Sequence, residues 1–158
     1  MICGSAVPPA GSIGNADSAC QSEALAAGLV NSSRFRAFLA TTSASAMSRF
    51  DLTGTAWVRT DGVQVAATPG DLATDNMLAP VTVQADGATY AGPYARVWGG
   101  ATSATVAGTT AETCSNWSAT SGATGTSGIV GYGNAGQFYW NSNWACTDRS
   151  LRVLCLEN

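Results

Sequence analysis

The sequence predicts an α+β domain with few helices, short antiparallel strands and long loops, held together by disulfides. Three observations lead there. Residues 56–66 read strand, Asp61-Gly62, strand, which is a hairpin pattern. The chain ends in an apolar run, Leu151-Arg152-Val153-Leu154-Cys155-Leu156, which fits a central strand. Five cysteines sit in a chain that is only 11% charged and rich in Gly, Ser and Thr, which suggests an oxidising compartment.

The remaining elements follow in order. Residues 1–14 read as a linker, with Val7-Pro8-Pro9-Ala10 at its centre, and residues 15–158 as one domain. Met1 reads as an artificial start or as the edge of a fragment cut from something larger, since residues 1–5 lack a basic end and a long apolar stretch. Asn15 or Asp17 caps a first helix with Ala19, Cys20, Ala24 and Ala27 on one side, and Gly28 stops it. Residues 34–39 place Phe35 and Phe38 three apart, so strand and helix compete. A short second helix is expected from Ser43 to Phe50, with Met47 and Phe50 inward. Asp61-Gly62 suits a type I′ turn, Pro69-Gly70 ends the hairpin, and Asp71–Met77 holds one helical turn. Tyr94–Trp98 reads as a strand broken by Gly99-Gly100. From Gly100 to Gly136 small residues dominate, but Cys114, Trp117 and Ile129-Val130 interrupt them, which points to long ordered loops.

Composition also excludes. The net charge is -3 and all seven cations are arginines, so the chain has no electrostatic footprint for nucleic acid. No apolar run reaches the eighteen or so residues that membrane insertion requires. With no histidine there is no usual general base, and metal ligands in close pairs are missing. No cofactor and no metal site are expected. A carboxylate pair among Asp51, Asp61, Asp71, Asp75 and Asp86 leaves a hydrolase as a remote alternative. Those aspartates sit mostly where turns and helix caps favour them, so the chain reads as a non-enzyme.

The C-terminal pattern is the most specific. Trp140, then Cys146, then Val153-Leu154-Cys155-Leu156-Glu157-Asn158 resembles the end of endostatin. Cys20 to Leu39, Asp71 to Pro80, Val97-Trp98-Gly99-Gly100 and Glu112-Thr113-Cys114-Ser115-Asn116-Trp117 resemble the family's other stretches in the same order. The chain is thus similar to bacterial endostatin-like domains of the C-type-lectin-like superfamily. The resemblance implies a mixed antiparallel sheet with one or two helices and two nested disulfides, Cys20 with Cys155 and Cys114 with Cys146. It leaves Cys3 over, either as a free thiol at a frayed end or as the point of a covalent or homo-oligomeric partner. Endostatin's zinc histidines and its arginine-rich heparin surface have no counterpart here.

The functional reading is a secreted or cell-surface binding module of the adhesin or fibre-tip type, recognising glycan or protein on another cell or envelope. A structural, oligomerising module of a larger surface protein is the alternative. Residues 131–144 concentrate aromatics and amides between glycines just before Cys146. Within them Tyr132, Phe138, Tyr139, Asn141, Asn143 and Trp144 are the candidate ligand contacts, because aromatic faces hold the C–H surface of sugars and amides hold hydroxyls. Trp98, Trp117 and Trp140 fall at positions the resemblance assigns to the core. Trp140-Asn141-Ser142 resembles the calcium motif of sugar-binding C-type lectins with its aspartate replaced by serine, so a calcium site is not expected.

Overall fold

The computed structural model describes residues 1–4, 11–74, 76–90, 96–119, 124–129 and 142–158. Their architecture is α+β. Among the described residues one 14-residue helix, four single-turn helical segments and three small antiparallel sheets enclose two apolar clusters.

Helix α1 (Ile13–Ala26) buries Ala16, Cys20 and Ala24, which recur every four residues and so line one face. Their small side chains let the helix lie close against β1 (Phe35–Ala37). Asp17 does not cap this helix. Its carboxylate accepts from the backbone N–H of Ala37 (2.9 Å) and from the Arg49 guanidinium (2.7 Å), which ties α1 to β1 and to the following loop. Gly28 ends the helix with φ +70, and Leu29 N–H reaches back to the Ala24 carbonyl.

Strand wins over helix at Phe35–Ala37, because β1 pairs antiparallel with β7 (Cys155–Glu157). The helix expected at 43–50 shrinks to one 3-10 turn, Met47–Arg49, yet Met47 and Phe50 point inward as predicted. The hairpin pairs β2 (Trp57–Val58) with β3 (Gln64–Ala66). Its turn differs from the type I′ expectation. Only Gly62 has positive φ (+87), Gly62 N–H bonds to the Arg59 carbonyl, and Arg59 N–H to that of Val63. That is a three-residue loop with a glycine bulge. Pro69-Gly70 does not terminate structure but opens α2 (Pro69–Ala73), which Thr68 starts by donating twice to the Asp71 carboxylate. The helical turn therefore begins two residues earlier than the sequence suggested, since proline is tolerated in a helix's first turn.

Residues 1–4 correct the linker reading. Met1, Ile2 and Cys3 are core residues. Ile2 bridges both Leu154 and Gln84, and Cys3 N–H donates to the Val153 carbonyl at 2.8 Å. An apolar triplet with backbone partners on both sides behaves as a strand, whatever its place in the chain. Residues 5–10, with the two prolines, lie outside the described residues.

Strands β4 (Arg96–Trp98), β5 (Thr124–Ile129) and β6 (Ser142–Ala145) form the third sheet, in that order. The terminal segment joins everything. Arg152 bridges Val97, Leu154 bridges Ile2, and Cys155 pairs with Ala37. Leu151, Val153 and Cys155 enter one cluster while Leu154 and Leu156 enter the other, which is the two-residue alternation of a strand buried on both faces. Both disulfides are present: Cys20–Cys155 and Cys114–Cys146. In the chain-entropy account they constrain the unfolded chain by roughly 5 and 3.5 kcal/mol.

Between the sheets, Cys114–Trp117 makes a single turn of the wrong hand. Its four residues have φ of +51, +55, +57 and +65, and none is glycine. Left-handed helical geometry crowds Cβ against the carbonyl oxygen, so such runs are rare. Neighbours hold this one in place. Cys114 is stapled to Cys146, Trp117 Nε1–H donates to the Ala40 carbonyl at 2.7 Å, and the Asn116 amide oxygen accepts from Thr42 N–H. Trp117 meets Trp98 edge-to-face, and both are buried, as expected for core tryptophans; Trp140 lies outside the described residues.

Candidate functional site

Of the six predicted contact residues, Tyr132, Phe138, Tyr139 and Asn141 lie outside the described residues. Asn143 and Trp144 stand on β6, opposite Thr126 and Gly125 of β5. Successive strand residues face opposite ways, so the two side chains leave the sheet on different sides. Asn143 is exposed. Trp144 is half-buried against the first cluster, and the Arg96 guanidinium lies 4.2 Å from its ring centroid. Arg96 comes from β4, so the contact passes across β5, where Trp144's own partner is Gly125. A guanidinium over an indole is attracted by the ring's quadrupole and holds it in place. One ring face is thereby occupied, so Trp144 is not a bare aromatic plate.

Glycine 125 sets how tightly this region closes. A Cβ there would stand 2.4 Å from Cys114 Sγ and 3.1 Å from both the Glu112 carbonyl and the Trp98 ring. The strand bearing Trp144's partner thus lies directly on the Cys114–Cys146 staple.

A second feature was not foreseen. A cavity of about 500 Å³ opens between the β2–β3 hairpin and the β1–β7 pair, lined among others by Phe35, Trp57, Leu72, Arg34 and Asp51. Val30 and Val58, both strongly exposed, form part of its lining. The sequence signal was present in Trp57 on the hairpin and Asp51 ahead of it, but nothing in their spacing brings them to residues 30–35. The Trp57 indole nitrogen is buried without a hydrogen-bond partner, so this wall offers a ligand an aromatic surface rather than a donor.

The aspartates behave as structural residues. Asp51 accepts from the Thr53 hydroxyl and N–H, Asp61 pairs with Arg59, and Asp71 accepts from Thr68 and Asn76. These hydrogen bonds hold all three carboxyls below their ordinary pKa, whereas a catalytic acid needs the opposite shift. Asp86 accepts from Ala88 N–H, and Asp75 lies outside the described residues. Cys3 corrects the expectation of a thiol at a frayed end. It is fully buried, 3.5 Å from the sulfur of Cys155. Cys3, Cys20 and Cys155 bring three sulfurs within 4.8 Å of one another, but two of them are joined and hold no thiolate for a metal. Among the described residues no helix is long and apolar enough to cross a membrane.

No protein-family model matches the chain, and no curated protein matches it.

Proposed function

We propose that the chain is a ligand-binding module of a secreted or cell-surface protein, with an endostatin-like variant of the C-type-lectin-like fold. It recognises glycan or protein through the segment leading into Cys146, and it performs no catalysis. The observation that supports this is the Arg96–Trp144 stack on β6, beside the exposed Asn143. An aromatic ring fixed by a guanidinium gives a ligand C–H contact and charge on one face of the sheet at little conformational cost, while Asn143 offers an amide on the other face. The two disulfides support an oxidising compartment. The three hydrogen-bonded, acidified carboxyls weigh against the hydrolase reading.

A glycan array with the unaltered protein, Trp144→Ala, Tyr139→Ala and Arg96→Gln tests the reading. Specific binding that falls at least tenfold in Trp144→Ala and Tyr139→Ala, with thermal melting intact, is the expected result. Specific binding unchanged in all three variants removes this surface from the function.

A further inference from the structure

We propose that Cys3 and the Cys20–Cys155 disulfide form a three-sulfur exchange unit, in which Cys3 takes Cys155 from Cys20 and thereby changes which element is stapled to the terminal strand.

The geometry comes from strand pairing. Ile2 pairs antiparallel with Leu154, Cys3 N–H donates to the Val153 carbonyl, and Cys155 N–H to that of Met1. Cys3 and Cys155 are therefore diagonal neighbours on one face of the ladder, and both belong to the first cluster. Helix α1 delivers Cys20 to the same point. The outcome is a thiol sulfur 3.5 Å from Cys155 Sγ, with all three sulfurs within 4.8 Å. Packing alone does not require a third cysteine here, since alanine or valine would fill an apolar strand position.

The step balances without an outside oxidant. Cys3 loses its proton, its thiolate attacks Cys155 Sγ, the Cys155–Cys20 bond breaks, and the Cys20 thiolate that leaves takes up a proton. One disulfide and one thiol stand on each side. Chain entropy does not choose between them, because the paired cysteines are 135 residues apart in one isomer and 152 in the other. The choice is local. In the first isomer α1 is bound to the terminal strand; in the second, residues 1–4 are bound to it, and α1 keeps its packing, the Asp17 contacts and the hydrogen bond that Glu23 accepts from Gly4 N–H. Diagonal neighbours stand wider than a relaxed disulfide, so residues 1–4 must shift toward Cys155 as the bond forms.

What holds the resting pairing is protonation. Burial pushes the Cys3 thiol up to about 12, and the Glu23 carboxylate adds to this, while Arg152 opposes it. The Met1 amine also faces the sulfur, but burial lowers it to about 5, so it carries no charge where exchange is measured. Exchange is therefore slow near neutrality and quickens about tenfold per pH unit below that value, as the thiolate fraction rises.

Two measurements decide the matter. The unaltered protein is held at pH 8, 9 and 10 in a glutathione buffer, quenched in acid, alkylated after denaturation and cleaved before Asp17, which separates Cys3 from Cys20. The alkyl label should move from Cys3 to Cys20, independently of protein concentration and roughly tenfold faster per pH unit. In parallel, Cys20→Ser under oxidising conditions should yield a Cys3–Cys155 peptide. Label confined to Cys3 at every pH and time overturns the proposal, whether or not the variant folds. A folded Cys20→Ser monomer in which Cys3 and Cys155 both remain alkylatable overturns it independently.

Discussion

Replacing Ser115 by glycine should stabilise the protein, and the size of the gain follows from the backbone. Ser115 has φ +55 and ψ +49 inside the Cys114–Trp117 turn. A non-glycine residue in this region costs about 1–2 kcal/mol from the Cβ–carbonyl contact. Glycine removes that contact but gives the unfolded chain extra freedom, worth about 0.5–1 kcal/mol the other way. The Ser115 side chain is exposed, while its N–H to Thr110 and its carbonyl to Ser118 are backbone contacts that glycine keeps. The difference leaves about 0.5–1 kcal/mol of stabilisation, which in a domain this long raises Tm by about 2–3 °C. Ser33→Gly is the control. Ser33 is also exposed but lies in a 3-10 turn without positive φ, so there glycine should cost about 0.5–1 kcal/mol. Asn116→Gly falls between, because it relieves φ +57 but gives up the contact with Thr42 N–H. Calorimetry on the three variants under non-reducing conditions gives the order directly. A Ser115→Gly that loses as much as Ser33→Gly would refute the left-handed turn.

Three further outcomes follow. Gly125→Ala should lose about 1–3 kcal/mol by urea titration, because its Cβ meets Cys114 Sγ, the Glu112 carbonyl and Trp98 at once. Asp17→Ala should lose about 2–3 kcal/mol, since it strands both the buried Ala37 N–H and the Arg49 guanidinium, whereas Asp17→Asn, which keeps an acceptor, should lose roughly half as much. The third concerns pH. The Cys3 thiol titrates near 12 when folded against about 9 ordinarily, so between these values the unfolded chain sheds its proton first. The thiol's contribution is complete below pH 9 and drains away as pH rises toward 12. Urea midpoints at pH 8, 9 and 10 should fall more steeply for the unaltered protein than for Cys3→Ala, and equal slopes would contradict the burial of this sulfur.

Much of the fold was legible because its signals are local. The apolar alternation at 151–156 announced a strand buried on both faces, and Asp61-Gly62 announced a hairpin. Met47 and Phe50 declared an inward face even though the helix around them shortened to a single turn. What the sequence hid depends on partners far along the chain. Phe35–Ala37 is a strand because β7 lies beside it, and nothing within residues 34–39 says so. Asp17 looks like a cap by position, but Arg49 and the Ala37 N–H recruit it instead. Met1-Ile2-Cys3 looked like part of a linker because three residues carry no periodicity, and its two strand-like neighbours, Gln84 and Leu154, are 82 and 152 positions away from Ile2. The Trp57 cavity is hidden for the same reason, being lined by Met1, Val81 and residues from 29–35, 51–72 and 155–158. Of the candidate site, residue type flagged Asn143 and Trp144, but the arginine that covers Trp144 comes from a strand nearly fifty residues earlier.

The left-handed turn bears on the binding proposal through position rather than chemistry. Strained backbone persists only where surroundings over-determine it. Here a disulfide, a buried indole hydrogen bond and the bare backbone of Gly125 converge on four residues. The same disulfide fixes Cys146, one residue beyond β6, which carries Asn143 and Trp144. Trp144 is therefore held from two directions, by Arg96 across the sheet and by the staple along its own strand. Ligand surfaces that bind without reorganising are built on such roots. Relaxing the turn should then leave ligand affinity unchanged while stability rises. Cutting the staple with a Cys114→Ser/Cys146→Ser pair should weaken binding beyond what its thermal melting accounts for. Parallel binding and melting measurements on these two variants separate a rigid recognition surface from a merely folded one. Equal binding in both, below their melting temperatures, would mean that the staple serves the fold alone.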